Sequence, residues 1–319
     1  IEKLKVVERL SEVMCPNDDE LTILTTGDKN EDGTYKMRYI PSQKPTVNLS
    51  QRIQDNLPPS IPITENKGIL FDDVRNNKAT MSDFVAQLSV EQMAQIVRGE
   101  PSSKVAGTFG GLSKELKNFG IPSVLCADGP NGLHSREKTI QIPIGTSLSA
   151  SWNKQLVKDV FLIVGNEVRR NNVHTLLGPG LNIHRSLLNG RNFEYFSEDP
   201  YLTGMMVISA TKGLREAGTC GTIKHLALNN QEIGRRSVDS VCSERAIREI
   251  YLKAFQMAVK EGNVLSIMTS YNPVNGHWTA SNYDLDTTVL RGEWKFKGLV
   301  MTDWQADMND VVDGGEQSN

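Results

Sequence analysis

Short apolar runs alternate with amphipathic stretches along most of this chain. From about Ile69 onward the order reads strand, helix, strand, helix. SVLCAD (123–128) is a compact apolar run of strand length, and NKQLVKDVFLIVGNEVRR has the apolar spacing of a helix. HTLLGP, GTIKHLAL, LSIMTSYN and GLVMTDW repeat the short buried-strand signature. SERAIREIYLKAFQMAVKEG and TTVLRGEW read as helices between them. In the first of these, Ile247, Ile250, Tyr251, Ala254 and Ala258 fall on one expected face.

Several helix ends are legible. Ser89 and Gln92 form a capping box for SVEQMAQIV, and Gly99 stands where a left-handed stop is expected. Asp199 is an N-cap with Pro200 in the first turn, and Ser243 is the N-cap of the SERAI helix.

Such alternation predicts parallel strands joined by crossover helices, in a doubly wound sheet or a closed barrel. Polar residues at strand ends choose between them. Asp128, Lys224 with His225, Tyr271 and Asp303 each lie at the carboxyl end of a different expected strand, where barrel enzymes build their sites. A doubly wound sheet would favour one switch point and a glycine-rich first turn. The nearest such loop, GPGLNI (178–183), lacks the third glycine. The expected fold class is therefore α/β, a (β/α) TIM-like barrel. About five strands are visible where a full barrel has eight, so the barrel is expected to be irregular or incomplete.

Residues 1–68 differ. β-prone runs, LTILTT and YKMRYI, are separated by polar turns, and LPPSIPIT (57–64) reads as a stiff extended linker. The expected organisation is a β-rich tail of a preceding domain plus linker over 1–68, then a C-terminally incomplete barrel over 69–319. The chain starts at Ile1 with no signal-like segment and reads as a piece of something longer.

Composition narrows the function classes. A net charge of -3, from 35 basic and 38 acidic residues, offers no large field for nucleic acid or anionic membranes. No run approaches the roughly 20 apolar residues of a membrane span. A soluble, cytoplasmic protein is the expectation. The four cysteines contain no CxxC pair and the five histidines no HExxH, so neither a metal nor another cofactor is expected.

The strand-end groups leave several chemistries open. Asp303 could be a nucleophile, a general base, a metal ligand or the N-cap of a following helix. Trp304 beside it offers a flat apolar wall suited to a sugar face. Lys224 could form a Schiff base as in a class I aldolase, or remain an ammonium that binds hydroxyls beside Asp128 and Asp303. His225 and Tyr271 each have a plain structural alternative as hydrogen-bonded core residues.

Seven segments carry a resemblance: ADGPNG (127–132), LLGPGLNIHR (176–185), NGRNFEYFSEDP (189–200), IKHLALNNQE (223–232), SERAIREIYLKAF (243–255), IMTSYNPVNG (267–276) and MTDW (301–304). In this order they resemble glycoside hydrolase family 3, in particular its β-glucosidase branch. The resemblance implies a retaining, exo-acting enzyme that removes terminal β-glucosyl residues with Asp303 as nucleophile. It implies that Asp128, Arg191, Lys224, His225 and Tyr271 hold the sugar hydroxyls, with Trp304 bordering the sugar. Arg191 has an alternative as an ion-pair partner of Glu194 or Glu198. Lys224 is further expected to keep Asp303 ionised against burial.

Retention needs a second carboxyl group about 5 to 5.5 Å from the first. In most of the family an α/β sandwich domain supplies it, and no segment here resembles that domain. Glu232 and Glu244 are the nearest acidic residues in the motifs, and neither is assigned; Glu244 reads as a first-turn residue facing the helix dipole. KHLAL departs from the KHFPG of the N-acetylglucosaminidase branch, and His134 stands where an arginine is expected after DGP. The β-prone N-terminal residues fit rearranged members, in which sandwich and fibronectin-like domains precede the barrel. A β-xylosidase or other β-glycosidase of the family, the aldolase, and a non-catalytic sugar-binding fragment remain alternatives.

Overall fold

The computed structural model describes residues 13–16, 20–45, 48–102, 105–135 and 138–307. Within them the strand and helix order follows the hydrophobic pattern. β1 (Thr22–Lys29) and β2 (Tyr35–Pro41) pair antiparallel in a two-stranded sheet of their own. Residues 57–70 form no regular element.

The central sheet has six strands: β3 (Gly107–Gly110), β4 (Ser123–Asp128), β5 (Thr175–Leu177), β6 (Cys220–Leu226), β7 (Ser266–Thr269) and, beyond a small hairpin of β8 (Pro273–Val274) and β9 (His277–Trp278), β10 (Leu299–Met301). Their spatial order is β10-β7-β6-β5-β4-β3. Neighbours from β4 to β10 are parallel, whereas β3 runs antiparallel to β4. The five strands expected from the sequence are the parallel ones. β3 escaped notice because two of the four residues of GTFG are glycines, which carry no apolar signal.

This is an incomplete (β/α) TIM-like barrel, as expected, with helices on the outer face. The helices Lys154–Arg170 and Pro200–Glu216 bury Phe161, Val164, Val168, Met206, Val207 and Leu214 against Leu176 and Ile223 of the strands. The inner face carries Cys126, Leu177 and Met268. A chain of hydroxyls crosses that face from Thr175 to Thr222 (3.2 Å) and on to Ser266 (2.8 Å).

Local signals held at the helix starts: Ser89 with Gln92, Asp199 and Ser243 all cap as expected, and Asn153 caps the helix Lys154–Arg170 as well. Three details differ. Gly99 is not a left-handed stop, because the helix Val90–Val97 ends with Arg98 in an extended conformation. Ile250 is exposed rather than part of the buried stripe. The turn at Ile247–Tyr251 closes with i to i−5 bonds, such as Leu252 N–H to Ile247 O at 2.7 Å, which rotates that face outward. The helix expected at TTVLRGEW starts earlier, at Asp284, and has the same wide winding.

Candidate active site

The site is assembled at the carboxyl ends of β4, β6, β7 and β10. Asp128 is the last residue of β4, two positions after inward-facing Cys126, so alternation points it into the barrel. Tyr271 and Asp303 follow β7 and β10 by two residues each.

Lys224 and His225 pose a geometric problem, since neighbours in a strand face opposite ways. Both are buried. The register supplies the reason: Ile223 pairs with Ile267 and Leu226 with Thr269, so β6 has one more residue than β7 across this step. The extra residue is a bulge, and both side chains reach the same charged cluster, Lys224 at Glu194 and His225 at Arg191. The GPGLNI loop braces it: Asn182 Nδ2 donates to His225 O at 2.8 Å, and His225 N donates to Asn182 Oδ1 at 3.0 Å.

Arg191 comes from the long loop after β5, in a single 3-10 turn at Asn192–Glu194. That loop packs tightly onto glycines. A Cβ at Gly145 would lie 2.6 Å from Tyr195 O, and one at Gly180 would lie 2.9 Å from the Tyr195 ring. Only glycine lets the loop settle close enough for Arg191 to reach β6.

The charged groups interlock. The Arg191 Nε donates to Glu194 Oε1, and its Nη2 lies 3.0 Å from His225 Nε2. Lys224 Nζ is 3.4 Å from Asp128 Oδ1 and 3.9 Å from Glu194 Oε2. His225 Nε2 is 3.7 Å from Asp303 Oδ2, while Asp303 Oδ1 accepts from the Trp304 N–H at 2.7 Å. Tyr271 Oη donates to Trp304 O at 2.8 Å. Arg235 and Arg236 each place a guanidinium 4.7 Å from the Tyr271 ring centroid. Trp304 is partly exposed and donates from Nε1 to Ala106 O at 3.2 Å.

Protonation follows from this packing. Burial, then the nearby Arg191 and Lys224 cations, push His225 well below its ordinary pKa, so the ring is neutral. A guanidinium only donates, so Nε2 accepts from Arg191 and the ring proton sits on Nδ1. That Nδ1–H then donates to Tyr195 Oη at 3.2 Å. Burial opposes charge on Arg191, but the Glu194 carboxylate outweighs it and holds the guanidinium above its usual range.

Asp303 stands between opposing influences. Burial raises its pKa above the ordinary carboxylate value, while the Trp304 N–H, Lys224 and Arg191 act in the opposite direction, Lys224 in the sense expected from the sequence. The helix-cap alternative for Asp303 lacks a helix among the described residues, which show none between Asp303 and Asp307.

All seven side chains singled out from the sequence belong to this one region or its rim. Glu194, Tyr195, Asn182, Arg235 and Arg236 were not singled out as site residues. The ion pair expected as an alternative between Arg191 and Glu194 forms, while Arg191 also reaches His225. Glu198 makes no such pair with Arg191 among the described contacts. Glu232 pairs with Arg235 at 2.9 Å. Glu244 lies elsewhere, buried and paired with Arg248 at 2.8 Å, and it stands in the first turn of its helix as expected.

A (β/α) barrel with carboxylates, cations and aromatic side chains gathered at the carboxyl ends of its strands is the arrangement of a barrel enzyme's catalytic domain. The Glycosyl hydrolase family 3 N terminal domain matches residues 64–319. The chain belongs to glycosyl hydrolase family 3. It is 44% identical to a beta-glucosidase of Ruminococcus albus over 318 residues, covering 97% of this chain and 33% of that protein. Among solved structures, it resembles a beta-glucosidase from Paenibacillus barengoltzii with a TM-score of 0.93 and 51% identity, over 98% of this chain and 34% of that one. Beta-glucosidase 3B from Thermotoga neapolitana, solved with glucose, matches with a TM-score of 0.66 and 39% identity, over 70% of this chain and 34% of that one. The chain thus spans about a third of the length of these relatives. Family membership sets aside the aldolase alternative for Lys224. No helix among the described residues is long and apolar enough to cross a membrane.

Proposed function

We propose that this chain is the barrel portion of a retaining, exo-acting β-glucosidase, with Asp303 as the nucleophile. The observation that carries the reading is the placement of Asp303: buried at the end of β10, 3.7 Å from His225, beside Trp304 and the Arg191–Glu194–Lys224 cluster. Asp303 attacks the anomeric carbon as the bond to the leaving oxygen breaks, giving a covalent glycosyl-enzyme and passing through an oxocarbenium-like transition state. Water then releases the sugar. Asp128, Arg191, Lys224, His225 and Tyr271 hold the hydroxyls, and Trp304 lies along the sugar face. Lys224 and Arg191 donate to the hydroxyls, while His225, whose Nε2 accepts from Arg191, keeps that guanidinium in place and gives up this bond only where a sugar hydroxyl replaces it. Donors fixed in advance stabilise developing charge without reorganising at the moment of reaction.

The leaving oxygen must receive a proton. Glu194 is engaged by Arg191, Glu232 by Arg235, and Glu244 by Arg248. The family resemblance implies that a sandwich domain outside these residues supplies the acid/base, and the engagement of these three glutamates is consistent with that reading. Residues 1–68 are read as the tail of a preceding β-rich domain plus linker, and 69–319 as the barrel. Two features support that division. The β1–β2 hairpin leaves Leu24, Tyr35, Met37 and Tyr39 exposed, more apolar surface than an isolated hairpin can cover. The family 3 N terminal domain match begins at residue 64, close to the end of the linker reading.

A 2-deoxy-2-fluoro-β-glucoside carrying a good leaving group tests the reading. In the complete polypeptide it should label Asp303 stoichiometrically, and aryl β-glucosides should be hydrolysed with retention. A label on another residue, or no hydrolysis, removes the proposal. Because this leaving group departs without protonation, absence of the acid should slow hydrolysis of unactivated glucosides by the isolated chain far more than its labelling.

A further inference from the structure

Glu194 is the most deeply buried carboxylate at the site, with a side chain 1% exposed. Its two oxygens have different surroundings. Oε1 accepts from Arg191 Nε, whereas Oε2 has no hydrogen-bond partner and faces Lys224 Nζ at 3.9 Å. A buried carboxylate oxygen without a partner costs stability, so its position calls for a compensating role. The cation it faces is equally buried, with a side chain 4% exposed. The other carboxylate near Lys224, Asp128, is 51% exposed at its side chain and 3.4 Å away. Solvent screens Asp128 far more than Glu194.

The ammonium of Lys224 thus stands between two carboxylates without a short hydrogen bond to either. It is held by charge yet keeps donor capacity for a hydroxyl. Arg191 is held in the same way: Nε is tied to Glu194, and Nη2 projects past it to His225.

We propose that Glu194 is a positioning residue: each of its carboxylate oxygens fixes one cation, Arg191 or Lys224, as a preoriented donor to the hydroxyls of the bound sugar. This rests on the glycosidase reading and deepens it. Glu194 need not touch the substrate. It replaces the hydration that two buried cations would otherwise need, and it confines both to one geometry.

The charge has a second consequence. Asp303 faces His225 and Lys224 from β6, Arg191 from the loop after β5, and Tyr271 from the end of β7; Asp128 pairs with Lys224, and Glu194 with Lys224 and Arg191. Removing the Glu194 charge leaves Arg191 and Lys224 less compensated, which favours ionised Asp303 and moves its titration to lower pH.

The test uses the complete polypeptide and two variants. Glu194→Gln keeps the shape and removes the charge. It should lower kcat/KM for an aryl β-glucoside by about 10²-fold or more, and displace the acid limb of the kcat/KM profile to lower pH. Glu194→Asp keeps the charge but withdraws it by one methylene. It should leave the acid limb in place and raise KM by about tenfold. A residue that served folding alone would lower Tm and leave both the limb and KM unchanged, and that result overturns the proposal. If the Gln variant does not fold, wild-type KM and kcat in the Asp variant overturn it equally. Labelling of the unsubstituted protein separates the two readings. Failure to label Asp303 removes the glycosidase assignment; labelling there with an unmoved limb in Glu194→Gln removes this inference alone.

Discussion

Arg191 and His225, 34 residues apart, meet with Nη2 3.0 Å from Nε2, and the contact determines where the imidazole carries its proton. The guanidinium cannot accept, so His225 is the Nδ1–H tautomer, anchored to Tyr195. Nitrogen NMR of the His225 ring should show this neutral tautomer at pH 6, where an ordinary imidazole of pKa about 6.5 is mostly protonated. Arg191→Met removes one of the charges that depress the His225 pKa, so its titration should move back toward the ordinary value of about 6.5. An unchanged midpoint would contradict the assignment.

Arg191→Lys is a related case. Lysine keeps the charge but cannot bridge Glu194 and His225 with a planar fork. The kcat/KM for aryl β-glucosides should fall by about 10²-fold or more, with little change in Tm. Steady-state kinetics alongside thermal unfolding separate the two effects.

Asp303 should cost the folded protein stability. Its pKa is raised by burial, so the native state binds this proton more tightly than the unfolded chain. The stabilising contribution is present below the unfolded value of about 3.9 and is lost as pH rises through the higher native value. Asp303→Asn should therefore abolish turnover yet raise Tm at pH 7, with the gain vanishing below about pH 4. Calorimetry at both pH values checks the sign.

Gly180→Ala should spare the fold and damage the site. The added Cβ would stand 2.9 Å from the Tyr195 ring and 3.2 Å from Glu194 O, pushing away the loop that carries Arg191. Activity should drop by at least about tenfold, since a misplacement near 1 Å costs up to about 10²-fold. Secondary structure by circular dichroism should be unchanged.

Far from the site, Glu244 holds an early segment of the chain. Its Oε2 accepts from Met14 N at 2.9 Å and Cys15 Sγ at 3.3 Å, and Asn275 Nδ2 donates to Met14 O at 2.7 Å. Glu244→Gln would turn an amide donor toward the Met14 N–H, costing about 1–3 kcal/mol locally. Hydrogen exchange at Met14 should speed up by about tenfold while the barrel strands keep their protection.

Much of this architecture is legible in the hydrophobic pattern. The apolar run at 220–226 is a strand buried on both faces between helices and barrel interior, and that at 123–128 is a partly buried one whose Cys126 and Ala127 are enclosed. Asp199 with Pro200 marks a helix start by local chemistry alone. Ile250 was misplaced because a wide turn changes helical phase without changing residue type. β3 was missed because glycine leaves no periodic mark.

The site divides in the same way. The strand-end rule located Asp128, Lys224, His225, Tyr271 and Asp303, and Arg191 came from the motif resemblance. Glu194 and Tyr195 lie only three and four residues beyond Arg191, yet no local feature separates their roles from an ordinary ion pair and a core aromatic.

By itself the sequence determined which segments are strands, which are helices and which polar groups end the strands, because side-chain periodicity and capping act over a few residues. Only the tertiary structure decided that Lys224 and His225, at a one-residue bulge in β6, reach the same charged cluster. It also decided that Glu194 faces both cations of the site and that burial outweighs them at Asp303. Those outcomes depend on register, desolvation and Coulomb interactions between distant residues, and such quantities exist only once the chain is packed.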